Sequence, residues 1–219
     1  MRAGDAEFVR DQATDAMRRV ASYRVDADPG GGLRYSVEYE RPDSYHSSSI
    51  YDYPGARSNE GLFVGNKRYL GSCDAGRGGC DWVGPSRREY LLDVGGEASP
   101  AVLPQWPVVA LEMATRLVLS TAGGELRLRG EVNHRRAMAA NSDRWVGSIP
   151  DEVLQKSFNV DYYDSHPAMI DAVIDPQTHQ VKSITVTADY VSTPEPLVSG
   201  FHIVFTYSKF NEITIEAPE

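Results

Sequence analysis

Long hydrophobic runs are missing from this sequence. No stretch approaches the roughly 20 consecutive apolar residues that a helix needs to span a bilayer. The first segment is rich in charge, with Arg2, Asp5, Glu7 and Arg10 close to its start. We therefore expect neither a membrane span nor a signal peptide within these residues.

Positive charge is also scarce. The sequence has 22 lysines and arginines against 31 aspartates and glutamates, which gives a net charge of -9. Proteins that bind nucleic acid need clustered cations to displace counterions from the phosphate backbone. The composition therefore predicts that nucleic acid is not a partner.

Catalytic and metal-binding motifs are missing as well. No Gly-x-Ser-x-Gly elbow occurs, and Ser47-Ser48-Ser49 beside His46 is interpreted as a polar strand edge. None of the histidines has metal-ligand spacing; they are His46, His134, His166, His179 and His202. We therefore expect no catalytic residue, no metal and no cofactor, and a binding protein rather than an enzyme. A hydrolase would need clustered polar groups in a cleft.

Cysteine occurs only twice, and the two residues are close together. Cys73 and Cys80 flank a glycine-rich turn between Lys67–Leu70 and Asp81–Val83, which are predicted to be two strands of a hairpin. A metal site would need further ligands near this spacing, and a redox pair is usually more closely spaced. We therefore predict a disulfide, which persists only in an oxidising compartment.

The period of the apolar residues changes along the first half of the chain. Helical spacing predicts an amphipathic helix over Asp5–Ala21, and a break follows at Asp28–Gly32. Alternation of apolar and polar residues then predicts an antiparallel meander. Its strands are Leu33–Glu40, Ser47–Tyr53, Gly61–Val64 and Lys67–Ser72, with Gly65-Asn66 as a hairpin turn.

A second helix is predicted between Ser99 and Thr121, and Arg135–Asp151 has no clean period, which predicts loop mixed with a short helix. The remaining predicted strands are Leu126–Val132, Met169–Ile174, Val181–Val191, Phe201–Tyr207 and Glu212–Glu216. No linker or repeat divides the chain, which favours one domain over residues 1–219. Strands that bury one face, with two amphipathic helices, predict an α+β fold: a curved antiparallel β-sheet with helices covering its concave face.

Three segments of the sequence carry a resemblance to one known family. Leu126–Val132 is similar to the strand that follows the mid-chain helix in that family, and Ala172–Thr178, leading to Ile184–Val186, also carries the likeness. The ending Val204–Pro218 resembles the family's last hairpin and its closing Ala-Pro. The sequence thus resembles the LolA/LolB-type lipoprotein-carrier superfamily, and within it most resembles the LppX/LprG-type bacterial lipoproteins.

The resemblance implies a half-open barrel that encloses an apolar cavity for the acyl chains of a lipid or lipoprotein. It also implies an extracytoplasmic location, in the cell envelope or periplasm, and a native N-terminal lipid anchor that would hold the protein at a membrane surface. The lipidated cysteine with which such proteins begin is not in this sequence. The alternative function is a sensing or protein-interaction module on the same fold, with the concave face filled by its own side chains.

Apolar residues on the predicted strands and on the second helix are the candidates to line this cavity. They are Tyr35, Val37, Phe63, Trp106, Val109, Met113, Leu117, Phe201, Ile203 and Phe205. Ordinary packing of a β-sheet and a helix core is the competing interpretation of the same pattern.

Overall fold

The computed structural model describes residues 3–30, 32–42, 44–51, 53, 56–64, 67–74, 80–87, 105–146, 160–191 and 198–218. The chain divides into two units. We call them the helix-bearing unit, Met1–Arg19 with Gln105–Thr206, and the six-strand unit, Val20–Pro104 with Tyr207–Glu219. Among the described residues, no helix has the length and apolarity to cross a membrane. The single domain over residues 1–219 stays a prediction.

Six consecutive antiparallel strands form the six-strand unit, in the spatial order β6-β5-β4-β3-β2-β1. They are β1 (Ser22–Gly30), β2 (Leu33–Glu40), β3 (Ser44–Tyr51), β4 (Arg57–Val64), β5 (Lys67–Asp74) and β6 (Cys80–Arg87). Each strand pairs with the next in sequence, which confirms the predicted meander. Val64 lies opposite Lys67, although the predicted turn at Gly65-Asn66 is outside the described residues.

The helix-bearing unit combines helices with antiparallel strands in the order β11-β10-β9-β8-β7. Its helices are α1 (Ala3–Arg19), α2 (Trp106–Glu112), α3 (His134–Val146) and α4 (Val160–Ser165). Its strands are β7 (Thr115–Ala122), β8 (Glu125–Val132), β9 (Ala168–Ile174), β10 (Val181–Val191) and β11 (Val198–Ser208), whose last two residues belong to the six-strand unit. α1 and α2 pack against these strands and bury alternate residues such as Leu128, Ile170 and Ile184.

The predicted second helix is wrong in its second half. α2 ends at Glu112, and Thr115–Ala122 forms β7 instead. In the sequence, Leu117 fits the helical spacing of Val109 and Met113, but Leu117 and Leu119 also alternate as in a strand. Gly123 and Gly124 have φ of 61° and 83°, which lets β7 turn tightly into β8. Pairing with β8 therefore decided between two patterns that the same residues fit.

Three further boundaries differ from the predicted ones. The missed strand β1 continues through Asp28 to Gly30, residues typical of turns, with an irregular register after Ala27. The helix expected within Arg135–Asp151 is longer than predicted, since α3 spans His134–Val146. Its buried side includes the polar residues His134 and Asn141, which obscure its period.

Residues 212–216 do not form the predicted strand. Side chains of the six-strand unit hold this segment instead of a backbone ladder. The N–H of Ile213 donates to Ser22 Oγ at 2.9 Å, and the N–H of Ile215 donates to Glu40 Oε2 at 2.7 Å. The alternation of apolar residues thus reflects partial burial without pairing to another strand.

Candidate functional site

One side of the six-strand sheet carries mainly apolar side chains, because alternate residues of a strand share a side. We call this side the apolar face. In one row of this face, Tyr45 lies opposite Phe63, and their stacked rings have centroids 5.3 Å apart and an interplanar angle of 9°. The pairing registers place five residues in one row across β2 to β6: Val37, Ser47, Gly61, Leu70 and Val83.

Burial declines along this row toward β6. Val37 is 1% exposed and Phe63, in the neighbouring row, is fully buried. Leu70 is 43% exposed and Val83 is 74% exposed. Ser47 and Gly61 lie between the buried and the exposed ends, and a Cβ on Gly61 would lie 2.7 Å from Ser47 Oγ. The apolar face therefore ends in accessible aliphatic side chains.

Three tyrosines close the other end of the apolar face. The ring of Tyr23 lies 5.2 Å from that of Tyr39 and 5.7 Å from that of Tyr207. Tyr39 donates its hydroxyl hydrogen to the carbonyl of Pro42 at 2.9 Å. Burial raises the pKa of Tyr23 and of Tyr207 well above the usual tyrosine value, so both remain neutral. This end is a core of three buried aromatic rings.

The apolar side of the strands in the helix-bearing unit is covered by α1 and α2, and we call it the helix-covered face. Trp106 packs edge-to-face on Phe205, with ring centroids 5.3 Å apart at 85°. Trp106 and Phe205 are 1% exposed and Val109 is 2% exposed. Side chains of the unit itself thus fill this face. Within it, Trp106 Nε1 has no hydrogen-bond partner among the described residues.

The structure divides the predicted lining residues between the two faces. Tyr35, Val37 and Phe63 share the apolar face, whereas Trp106, Val109, Ile203 and Phe205 are buried at the helix-covered face. Leu117 is half-buried in β7 and Met113, 39% exposed, lines a separate cleft. Phe201 is in β11, but its side chain is outside the described part of the chain. Whether any of them lines a ligand cavity stays a prediction.

Sequence reasoning missed the exposed pair Leu70 and Val83. Their common side follows from the hairpin that the cysteines define, since Cys73 opposite Cys80 sets the register of Leu70 opposite Val83. The structure joins Cys73 and Cys80 in the predicted disulfide, which ties β5 to the terminal strand β6. The spacing of the cysteines therefore contained the signal for this apolar pair.

A polar cluster on the opposite side of the same sheet was also missed. His46 Nε2 lies 2.9 Å from Glu60 Oε2, and Ser48 donates to Glu60 Oε1 at 2.9 Å. Burial raises the pKa of Glu60, but hydrogen bonds from His46, Ser58 and Ser48 outweigh it and lower the pKa below the usual value. Ser48 thus contacts Glu60 and not His46, so the cluster lacks the order of a nucleophile and its base. No group of three metal-ligating residues occurs among the described residues.

Comparisons with known proteins give a likeness of fold. No protein-family model matches the sequence, and no curated protein matches it significantly. The crystal structure of LprF from Mycobacterium bovis matches with a TM-score of 0.58 and 13% identity, over 99% of this chain and 98% of that one. The Mycobacterium tuberculosis lipoprotein LppX matches with a TM-score of 0.53 and 16% identity, over 98% of this chain and 100% of that one.

These likenesses extend over nearly the whole chain, while the identities are too low to carry more than the fold. The predicted α+β class, an antiparallel sheet of the half-open barrel type with helices, is confirmed. The resemblance seen in the sequence is likewise confirmed at this level: the chain has the fold of the LppX/LprG-type lipoproteins.

Proposed function

We propose that the protein is an extracytoplasmic carrier that binds a lipid or the acyl chains of a lipoprotein on the apolar face of the six-strand unit. The observation that carries this proposal is the decline in burial from Val37, 1% exposed, to Leu70 at 43% and Val83 at 74%. Leu70 and Val83 lie opposite each other on neighbouring strands, and such paired water-exposed aliphatic groups favour a ligand that covers them. The fold shared with the lipoprotein LppX supports the same function.

Energetics set the kind of ligand. Burying one methylene contributes about 0.8 kcal/mol, so an acyl chain of about 16 carbons gains about 12 kcal/mol. Association costs about 4–15 kcal/mol, which offsets much of that gain for a single chain. We therefore expect a ligand with two or more acyl chains, or a deep preformed pocket.

The disulfide supports the location. Disulfides persist in oxidising compartments and are rare in the reducing cytosol. The Cys73–Cys80 bond thus favours the cell envelope or periplasm. A native N-terminal lipid anchor that tethers the carrier to a membrane belongs to the same proposal.

Native mass spectrometry of the purified protein, followed by organic extraction and lipid analysis, tests the proposal. We expect a lipid at near-stoichiometric amount. The double change Leu70→Asp and Val83→Asp should lower its amount at least about tenfold, because charge on the row opposes acyl contact. The matched control is Val118→Asp, since Val118 is 63% exposed on β7 and lies outside the apolar face.

A wild-type mass without lipid, and no uptake of added fatty acid or phospholipid, would contradict the carrier. Equal loss of lipid in the Val118→Asp control would also contradict the assignment of the apolar face. Circular dichroism of each purified protein verifies that the fold is intact, so that the result concerns binding.

A protein-interaction or sensing module is the second candidate function. The observation that favours it is the helix-covered face, which the unit's own residues Trp106, Val109 and Phe205 fill. In this case Leu70 and Val83 contact a partner protein instead of a lipid. A photo-crosslinking residue at position 83 would then attach to a protein, whereas the carrier predicts attachment to lipid.

A further inference from the structure

The helix-bearing unit contains a cleft of about 400 Å³ that is separate from the faces described above. It lies where the C-terminal end of α2 meets the ends of β8 and α4. Met113, Val132 and Tyr163 give it an apolar lining, and Arg116 and Arg136 bring charge to the same cleft. Volumes of about 300–1,000 Å³ with this mixture are typical of sites for small molecules.

One ion pair in the cleft is already complete. Arg136 donates to both carboxylate oxygens of Asp164, from Nε at 2.9 Å and from Nη2 at 2.5 Å. Asn133 Nδ2 adds a third hydrogen bond to Asp164 at 2.7 Å. Hydrogen bonds from Arg136 and Asn133 lower the pKa of Asp164 to about 2, so it is ionised at neutral pH. Asp164 therefore has little capacity left to accept from a ligand.

The second ion pair leaves one edge of its arginine open. Arg116 uses only Nη1, which lies 3.2 Å from Glu131 Oε1 and 2.9 Å from Oε2. Among the described residues, Nε and Nη2 of Arg116 have no hydrogen-bond partner, and the side chain is 77% exposed. A guanidinium edge of this kind binds a carboxylate or phosphate through two parallel hydrogen bonds.

The backbone directs Arg116 in an unusual way. Its φ is +51°, in the left-handed region that residues other than glycine rarely adopt. The register of β7 with β8 is irregular between Thr115 and Val118, so Arg116 lies in a bulge. Bulges redirect a side chain relative to its strand, and they are frequent beside binding sites.

Apolar surface adjoins the charged edge. Met113 is 39% exposed, and its unbranched thioether adapts to ligands of different shapes. Val132 and Tyr163 also line the cleft and are buried, at 3% and 2% exposure. A ligand that contacts Met113 and also reaches Arg116 must therefore combine an apolar body with a group that accepts hydrogen bonds.

We propose that this cleft binds a small amphipathic anion, with its carboxylate or phosphate on the Nε and Nη2 edge of Arg116 and its apolar body on Met113. Glu131 occupies only Nη1 of the same guanidinium, and its negative charge beside the ligand lowers the affinity for an anion. The site is independent of the acyl-binding function proposed for the six-strand unit.

The test follows the methyl signal of Met113 by NMR in the full chain labelled with [¹³C-methyl]methionine. This signal is assigned with Met113→Leu and reports on the cleft, whatever binds to the apolar face. The probes are decanoate and decyl phosphate, with decanol as the neutral analogue and acetate as the anion without an apolar body. We expect saturable shifts with the two amphipathic anions and none at equal concentration with decanol or acetate. Comparing the two anions shows which oxyanion the cleft prefers.

Variants of the ion pair should act in opposite directions. Arg116→Gln should weaken anion binding at least about tenfold, because it removes charge-assisted hydrogen bonds. Glu131→Gln should tighten it about two- to fivefold, because the half-buried carboxylate that repels the anion is lost. Arg129→Gln is the matched control, since Arg129 is exposed on β8 but pairs with Asp171 instead.

Three results would overturn the proposal. The first is the absence of a Met113 shift with either amphipathic anion. The second is decanol binding as tightly as decanoate, which would make Arg116 irrelevant. The third is equal weakening by Arg116→Gln and Arg129→Gln, which would indicate only a general effect of charge. A wild-type methyl spectrum for each variant without ligand verifies that the fold is retained.

Discussion

The two apolar faces of this protein differ in how they end. On the helix-covered face, Trp106 and Phe205 are 1% exposed and α1 and α2 pack over the strands. On the apolar face of the six-strand unit, burial is complete at Phe63 but falls to 74% exposure at Val83. Both faces arise from the same alternation of residues along strands. Apolarity alone therefore does not separate a filled face from a partly exposed one, whereas the exposure of Leu70 and Val83 does.

The largest expected effect is on the helix-covered face. Phe205→Ala should lower the free energy of unfolding by about 3–5 kcal/mol, because it leaves a cavity beneath Trp106. Urea denaturation at neutral pH measures the change. Phe8→Ala is the control, since Phe8 is 62% exposed on α1 and should change stability by less than about 0.5 kcal/mol. A small loss at Phe205 together with a change in lipid content would place ligand there and end the contrast between the faces.

A smaller effect is expected from the disulfide beside the exposed row. Replacing Cys73 and Cys80 together by Ser should lower the free energy of unfolding by about 2–3 kcal/mol, since the short loop is no longer closed in the unfolded chain. Urea denaturation with and without reductant measures it. Reductant should destabilise the wild type and leave the double variant unchanged. Equal stability of the wild type and the double variant in the absence of reductant would show that β6 does not depend on this bond.

The smallest of these effects concerns the polar side of the six-strand sheet. Hydrogen bonds hold the pKa of Glu60 below its ordinary value of 4.5. Its ionised form therefore stabilises the fold above that pH, and the contribution is lost as pH falls through 4.5 toward the folded value. Glu60→Gln should cost about 1 kcal/mol at pH 7 and nothing measurable once Glu60 is protonated in the wild type.

Denaturation of wild type and Glu60→Gln between pH 7 and about pH 3 measures this difference. Glu125→Gln is a suitable control, because Glu125 is exposed and pairs with Lys182 in the helix-bearing unit. The prediction would be contradicted by a difference in unfolding free energy between wild type and Glu60→Gln that grows as the pH falls. Such a difference would mean that burial, and not the bonds from His46 and Ser48, dominates at Glu60.

Local patterns predicted much of the fold because each one has a single structural solution. The helical spacing in Asp5–Ala21 corresponds to α1, and the alternation from Leu33 onward corresponds to the meander of β2 to β6. The failures fall where two solutions fit the same residues. Leu117 suits both a helix stripe and a strand, and only the pairing of the flanking residues with β8 makes it part of β7.

The candidate sites were predicted less completely, for a related reason. Val37 and Phe63 follow from the alternation of apolar residues. Leu70 and Val83 become candidates only because the folded chain leaves them exposed. Likewise, Arg116 and Arg136 are ordinary charged residues in the sequence, and the cleft exists only because α2, β8 and α4 converge. Burial and convergence are properties of contacts between distant segments, which no local pattern contains.

By itself, the sequence determined the alternating and helical periods and the pairing of Cys73 with Cys80, because each depends on residues close together in the chain. The acidic net charge follows from composition alone. Tertiary structure alone decided which apolar face is filled, which one ends in Leu70 and Val83, and that the guanidinium of Arg116 keeps an open edge beside Met113. The physical reason is that a side chain's exposure is set by what other parts of the chain bring against it.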